Sequence, residues 1–260
     1  MRYLFIVLLL MVFTKSRGAI VGKEVTYMCD TLTMKGYIAY DESISGKRPG
    51  ILIVHEWWGN NDYSRKRADM LAGLGYVAFA VDMYGNGKQA DNPGDAGKFA
   101  GEVMGSPTAM KVRFTAAMDL LKKDEHVDPA QIGAIGYCFG GGVVLAMARQ
   151  GADLKAVVSF HGSLATQHRA EKGGVKAKVL VCNGADDKFE TADDIAKLKA
   201  EMKTAAVDFK FVNYPGAVHA FSNPNATALG KKFNMPIAYN EKADKQSWEE
   251  MQKWFRKTFK

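Results

Sequence analysis

A single α/β domain with a mostly parallel, doubly wound sheet is the fold class that the sequence predicts, over residues 19–260. The 260 residues suffice for one large core, since a domain typically takes about 100 to 200 residues. Hydrophobic residues at 47% and charged residues at 24% are typical of a globular protein and exclude disorder and collagen. Short apolar runs alternate with helical stretches, and this alternation indicates parallel strands with helices on both faces.

The amino terminus has the pattern of a transport signal. Arg2 precedes an unbroken apolar run at 3–13, which is too short for the roughly 20 residues of a membrane-spanning helix. Ser16 and Gly18 supply the small residues that precede a cleavage site. We predict a signal peptide over 1–18 and an exported protein, periplasmic or secreted. Retention of the segment as an uncleaved anchor is the alternative.

The net charge of +7 does not indicate an anionic partner. Arg2, Lys15 and Arg17 in the predicted signal contribute three positive charges and no acid accompanies them, so removal of the signal leaves a net charge of +4. No nucleic-acid motif accompanies the remaining basic clusters. We therefore expect neither a nucleic-acid partner nor a membrane contact after signal removal, and the sequence does not indicate an oligomeric state.

The first predicted element after the signal is a β-hairpin. Residues 25–40 alternate loosely and are rich in β-formers, with a turn at Asp30 and Thr31. Six short apolar runs follow, as expected for strands that are covered on both faces. They are 50–54, 76–81, 132–135, 156–160, 179–181 and 209–212.

Helical segments are predicted between and after these strands, at 64–74, 109–121, 141–149, 192–205 and 243–259. In the last segment Trp248, Met251, Phe255 and Phe259 recur at helical spacing. This pattern predicts a stripe packed on the sheet. Two polar stretches, 86–97 and 223–241, are predicted to be long surface loops that frame a binding site.

The strongest chemical motif is Gly136-Tyr-Cys138-Phe-Gly140, directly between a predicted strand and a predicted helix. A tight strand-to-helix turn strains its central residue, and glycines are needed two places before and after it. The helix amino terminus favours negative charge, and the Phe139 N–H would point towards a developing oxyanion. We therefore predict that Cys138 is a nucleophile. A buried packing cysteine is the alternative.

A thiol nucleophile needs a base, and the base needs a group that orients it. In enzymes whose nucleophile lies on such a strand-to-helix turn, the acid follows the nucleophile in the sequence and the histidine follows the acid. Asp187 comes just after the strand at 179–181, with Asp186 as its competitor, and His219 lies in a turn-rich loop after the strand at 209–212. We predict that Asp187 and His219 fill these roles.

The remaining cysteines and histidines give weaker signals. Cys29 and Cys182 are predicted to be packing residues, with a disulfide between them as the alternative. His161 closes the strand at 156–160 and is a candidate for the pocket lining. No C-x-x-C, no histidine pair at i and i+4, and no dinucleotide or Walker motif occurs, so we predict neither a metal site nor a cofactor.

The segment His55-Glu56-Trp57-Trp58-Gly59 ends the strand at 50–54. Hydrolases with a nucleophile elbow place their second oxyanion donor at this point. Glu56 between these aromatic residues is a candidate site residue, and a solvated strand-end acid is the alternative.

Taken together, the motifs resemble those of the dienelactone hydrolase family, cysteine hydrolases of the α/β-hydrolase fold. The resemblance extends from about residue 23 to residue 259 and rests on five motifs. They are Glu-Trp-Trp-Gly at 56–59, Asp-Met-Tyr-Gly at 82–85, Gly-Tyr-Cys-Phe-Gly-Gly at 136–141, Gly-Ala-Asp-Asp at 184–187 and Tyr-Pro-Gly-Ala-Val-His-Ala-Phe at 214–221.

The resemblance implies a triad of Cys138, His219 and Asp187, with an oxyanion hole formed by the backbone N–H groups of Trp57 and Phe139. The resemblance also implies a role for a glutamate beside the triad and a set of residues that line the substrate pocket. Glu56 matches the family's glutamate, which holds the resting thiol and takes its proton. The pocket candidates are Trp58, Tyr84 and His161.

Two departures from the family pattern concern the substrate. The founding enzymes have an arginine after the Asp-x-Tyr motif and a serine after the histidine, whereas this chain has Gly85 and Ala220. Both changes remove anchors for a small dicarboxylate-like lactone. Lys88 would substitute only if its loop folded inward.

We therefore predict a carboxylic ester hydrolase that acts on a small ester or lactone through an acyl-enzyme intermediate. The alternative is an exported scaffold of the same fold with a ligand-binding role or a redox-sensitive thiol at Cys138.

Overall fold

The sheet is built from eight strands in the part of the chain that the computed structural model describes, residues 19–259. The predicted signal peptide at 1–18 lies outside the described residues. The strands are β1 (Ile20–Cys29), β2 (Leu32–Asp41), β3 (Arg48–Val54), β4 (Val77–Val81), β5 (Val127–Tyr137), β6 (Ala156–Phe160), β7 (Lys178–Gly184) and β8 (Phe209–Tyr214). The helices are α1 (Asp62–Ala72), α2 (Pro93–Met104), α3 (Pro107–Lys122), α4 (Phe139–Arg149), α5 (Ala192–Thr204), α6 (Ala226–Phe233) and α7 (Glu241–Thr258).

The strand order is β1-β2-β4-β3-β5-β6-β7-β8. β1, β2 and β4 pair antiparallel, and every other neighbour pair is parallel. The predicted hairpin and mostly parallel sheet are therefore confirmed. Because the strands from β3 to β8 run in one direction, their carboxyl ends meet at one edge of the sheet, where side chains from distant sequence positions converge.

Two hydrophobic layers cover the sheet. In β3, Leu52 and Val54 contribute to one layer and Ile51 and Ile53 to the other, as the alternation of a strand requires. α3, α4 and α5 pack on the first layer, and α1 and α7 pack on the second. The predicted stripe of the last helix is confirmed, since its residues belong to the second layer, with Phe255 fully buried.

Both predicted long loops contain a helix that the sequence interpretation missed. α2 lies partly in the stretch 86–97, where the Asn92 side chain accepts from the Asp95 N–H and Pro93 opens the helix. α6 lies inside the stretch 223–241. Short helices rich in glycine, alanine and lysine have weak propensity signals, and packing against the rest of the chain decides whether they form. Within residues 19–259, no helix is long and apolar enough to span a bilayer.

The alternative of a Cys29–Cys182 disulfide is wrong. Cys29 ends β1 and Cys182 lies in β7, and five strands separate these two in the sheet. With about 4.8 Å between neighbouring strands, the two residues are far beyond the roughly 7 Å that a disulfide allows between Cα atoms. All three cysteines are free.

Candidate active site

Cys138 occupies the turn between β5 and α4 with φ 53° and ψ −117°. Its neighbouring glycines are required by space. A Cβ on Gly136 would lie 2.0 Å from the Gly140 carbonyl oxygen, and one on Gly140 would lie 2.2 Å from the Val54 oxygen. The chain therefore turns sharply enough to expose the Cys138 side chain at the carboxyl edge of the sheet, as in a nucleophile elbow.

The structure brings Cys138, His219 and Asp187 together at this edge. Cys138 Sγ lies 3.1 Å from His219 Nε2, and His219 Nδ1 lies 2.9 Å from Asp187 Oδ2. The other oxygen of Asp187 accepts from the Phe189 N–H at 2.9 Å, which fixes the carboxylate. Asp187 is buried, whereas its competitor Asp186 is exposed.

The surroundings of His219 favour its charged form. Burial lowers the pKa of His219, but the adjacent Cys138 sulfur and the Asp187 carboxylate raise it by more, and the net pKa lies well above the ordinary value. An imidazolium in this position can donate its Nε2 proton to a neighbouring group. The geometry thus places the His219 imidazole between Cys138 Sγ and the Asp187 carboxylate.

Trp57 and Phe139 both line the cavity together with Cys138. The Phe139 N–H is the first of α4, and neither it nor the Trp57 N–H is paired with an acceptor among the described residues. The Tyr84 hydroxyl donates to the Trp57 oxygen at 2.9 Å and holds that turn in place. Asp82 in turn accepts from the Tyr84 N–H at 2.9 Å. Tyr84 therefore supports the wall of the cavity instead of lining it, in contrast to the sequence prediction.

Glu56 lies buried at the cavity with Asn223 as its hydrogen-bond partner. Asn223 Nδ2 donates to Glu56 Oε2 at 2.6 Å, while the thiol lies against His219. Burial raises the pKa of Glu56 to about 7, although the bond from Asn223 opposes the rise. A carboxyl group with this pKa exchanges its proton near neutral pH. Asn223 was not predicted, because only the fold brings it to Glu56.

His161 lies behind Cys138 and does not line the cavity, contrary to the sequence prediction. Its Nδ1 accepts from the Cys138 N–H at 3.1 Å, and its Nε2 lies 2.7 Å from Ser222 Oγ. Ser222 Oγ is also 2.8 Å from the Tyr63 hydroxyl. Complete burial and the nearby His219 hold the pKa of His161 well below its ordinary value. A neutral His161 therefore holds the backbone N–H of Cys138 in place.

The site opens into a mainly apolar cavity of about 410 Å³. Trp58 lines it, together with side chains from α2 and from the segment after α6. The polar stretch 223–241 therefore contributes to the cavity, whereas the stretch 86–97 supplies none of the lining residues. Lys88 is exposed, with its ammonium over the Phe99 ring, and does not line the cavity. The lining residues are Glu56, Trp57, Trp58, Ala100, Met104, Cys138, Phe139, Ser163, Phe189, Glu190, His219, Ala220, Met235 and Ile237.

Glu190 is a second buried acid of the cavity that the sequence analysis did not single out. Its Oε2 accepts from the Leu164 N–H at 3.0 Å. Burial raises the pKa of Glu190 to about 7, with the Leu164 N–H acting in the opposite direction. Its position three residues after Asp187 was the available signal, since the same loop delivers both carboxylates.

The elbow, the order of the site residues and the sheet define the class of protein as an α/β-hydrolase. Comparison with known families makes this specific: the model of the dienelactone hydrolase family matches residues 34–259. The chain belongs to the dienelactone hydrolase family. It is a hydrolase, and the prediction of a carboxylic ester hydrolase is confirmed at the level of the family.

Relatives of known name or structure agree with this assignment. Protein usf of Aquifex pyrophilus is 31% identical over 207 residues, which cover 78% of this chain and 87% of the relative. A protein of Aquifex aeolicus, provisionally named a carboxymethylenebutenolidase, is 30% identical with the same coverage. A dienelactone hydrolase-like promiscuous phosphotriesterase from metagenomic libraries is 34% identical, with a TM-score of 0.88 over 94% of this chain and 100% of that chain.

Proposed function

We propose that the protein hydrolyses a small ester or lactone with Cys138 as nucleophile. The observation on which the proposal rests is the continuous contact from Cys138 Sγ through His219 to Asp187, with distances of 3.1 and 2.9 Å. Nucleophile, base and orienting acid at hydrogen-bond distance are the requirement for acyl transfer through a covalent intermediate.

The first half of the proposed reaction forms the acyl-enzyme. Glu56 takes the thiol proton when substrate enters, and the thiolate beside protonated His219 attacks the carbonyl carbon. The carbonyl electron pair moves to oxygen, where the N–H groups of Trp57 and Phe139 donate to it. Collapse expels the alkoxide, which takes a proton from His219 and leaves a thioester on Cys138.

The second half releases the acid. Neutral His219 removes a proton from water, and the resulting hydroxide attacks the thioester carbon. Collapse breaks the carbon–sulfur bond, releases the carboxylic acid and restores the thiolate beside protonated His219. Glu56 then returns its proton to the sulfur. Asp187 keeps the imidazole ring oriented throughout.

A cysteine comparison tests this mechanism. We expect Cys138→Ala to abolish hydrolysis of short p-nitrophenyl esters and lactones, and Cys29→Ala to retain it, because Cys29 lies in β1 away from the cavity. Iodoacetamide labelling, located by mass spectrometry, should modify Cys138 in parallel with the loss of activity. Full activity of Cys138→Ala would refute the mechanism. Wild-type rates equal to the protein-free background would favour a binding or redox-thiol role instead.

We further propose that the protein is exported, to the periplasm or outside the cell. The support is the apolar run at 3–13 after Arg2. N-terminal sequencing of the protein from its host tests this, with Ala19 as the expected first residue. A chain that starts at Met1 would show that the segment is retained.

A further inference from the structure

Apart from Cys138 and His219, the ionisable residues that line the cavity are all acidic. Glu56 and Glu190 contribute carboxyl groups, and none of the described lining residues is lysine or arginine. The rest of the surface is largely apolar and includes the aromatic rings of Trp57, Trp58 and Phe189. A protein with a formal net charge of +7 thus has an acidic, aromatic cavity at its site.

Glu190 is held so that one oxygen remains free for a ligand. Oε2 is occupied by the Leu164 N–H, and Oε1 receives no hydrogen bond from the described residues. The other ionisable groups that act on Glu190 are Asp187 and His219 in the site and Asp194 in α5. Burial and the two aspartates raise the pKa of Glu190, whereas His219, which also contacts Cys138 and Asp187, lowers it.

We infer that the cavity selects acyl substrates that bear a cationic group, such as an alkylammonium, and discriminates against substrates that bear a carboxylate, with Glu190 as the specificity-determining residue. The inference rests on the proposed ester hydrolysis. Aromatic faces and a carboxylate together stabilise an ammonium ion by cation–π and Coulomb attraction. A carboxylate in the same place loses its hydration and meets like charge without compensation.

Three p-nitrophenyl esters that differ only at the end of a four-carbon acyl chain provide the test. Their chains end in trimethylammonium, in the isosteric tert-butyl group, or in a carboxylate. We expect kcat/KM at pH 8 to fall in that order, with the cationic ester favoured over the anionic one by about tenfold or more, as a nearby carboxylate implies. All three share the same reacting ester, so the ratio isolates the cavity's preference.

A matched pair of variants assigns the preference to Glu190. Glu190→Gln keeps an acceptor for the Leu164 N–H and should reduce the cationic-to-anionic ratio about tenfold. Asp186→Asn removes the same charge from the same loop but from an exposed residue outside the lining, and should leave the ratio unchanged. The wild-type ratio should also rise between pH 6 and pH 8, where Glu190 and Glu56 both ionise, and should rise less in Glu190→Gln, which keeps only the Glu56 contribution.

The outcomes separate the two proposals. Cys138-dependent hydrolysis of all three esters with no preference, or a preference that Glu190→Gln leaves intact, would overturn the inference while the proposed function stands. Absence of hydrolysis would overturn the proposed function. In that case protection of Cys138 from iodoacetamide by choline, compared with 3,3-dimethylbutanol, still decides the inference: better protection by choline supports it, and equal protection overturns it.

Discussion

Glu56 is a carboxyl group in surroundings that oppose its ionisation. It is 3% exposed and its pKa is raised by burial to about 7, against an ordinary value of 4.5. The folded protein therefore keeps a proton that the unfolded chain releases between these two pH values. Stability that is present at low pH is lost as pH rises through this window. Such a cost is expected where a residue is placed for chemistry and not for stability.

Replacement of Glu56 by glutamine should therefore stabilise the protein in a pH-dependent way. We expect a free energy of unfolding about 2 to 3 kcal/mol above wild type at pH 8 and nearly equal to it at pH 4. Urea unfolding at both pH values measures the difference. The pKa of Glu190 is raised in the same way, but Glu190 is present in both proteins, so its contribution to the pH dependence of unfolding cancels from the comparison. An equal difference at both pH values would contradict the assignment.

At the scale of single residues, the sequence indicated the positions of some site residues but not the directions of others. Cys138, His219 and Asp187 each follow a strand within a recognisable local pattern, so their convergence at the sheet edge could be predicted. His161 and Tyr84 were located on the correct strand ends, but whether a side chain points into a cavity or behind it depends on neighbouring elements. That information is not present in a local pattern.

The elbow is an element whose geometry depends on close packing between β3 and α4. Cys138, His161 and Ala220 all have positive φ angles without being glycine, and all three lie at the site. Conformations of this kind cost about 1 to 3 kcal/mol each and persist only where the surrounding structure fixes them. The tight approach of α4 to the end of β3 supplies that constraint.

Two glycines of the same helix provide a matched test of this element. Gly140→Ala would place a Cβ 2.2 Å from the Val54 oxygen, and we expect a loss of about 3 kcal/mol or more of stability and about 100-fold or more in kcat/KM. Gly142→Ala meets nothing nearer than 3.5 Å, at Ser163 Cβ, and should stabilise α4 by about 0.5 to 1 kcal/mol.

Thermal or urea unfolding and kcat/KM for one ester measure both variants. Equal behaviour of Gly140→Ala and Gly142→Ala would show that α4 shifts away from β3 without consequence. The assignment of the elbow as a constrained element would then be wrong.

At the scale of the whole molecule a buried arginine joins the two helices on one face of the sheet to the loop of the site. Arg67 in α1 donates to Asp244 Oδ1 in α7 at 2.6 Å and to the backbone carbonyl oxygen of Ser222 at 2.7 Å. Its guanidinium also lies over the rings of Tyr63 and Trp248. Because Ser222 contacts His161, this connection reaches the layer directly behind Cys138.

Removal of the acid from this pair should destabilise the molecule strongly. We expect Asp244→Ala to lower the free energy of unfolding by about 3 to 5 kcal/mol, because it leaves the buried Arg67 charge without its partner. Glu241→Ala on the same helix removes an exposed ion pair with Lys245 and should have a far smaller effect, since water screens that pair. Urea unfolding compares the two variants. Similar losses would show that the buried Arg67–Asp244 pair contributes no more to stability than the exposed Glu241–Lys245 pair.

The sequence by itself determined the α/β class, the hairpin, each strand of the parallel sheet, the elbow at Cys138 and the order of Asp187 and His219. These features follow from periodicity and from turn chemistry, which act over a few residues. Only the tertiary structure decided that α2 and α6 form, that Cys29 and Cys182 are far apart, and that Glu56 meets Asn223. It also placed Glu190 in the cavity. Burial and long-range contact determine these features, and both depend on which segments the strand order brings together.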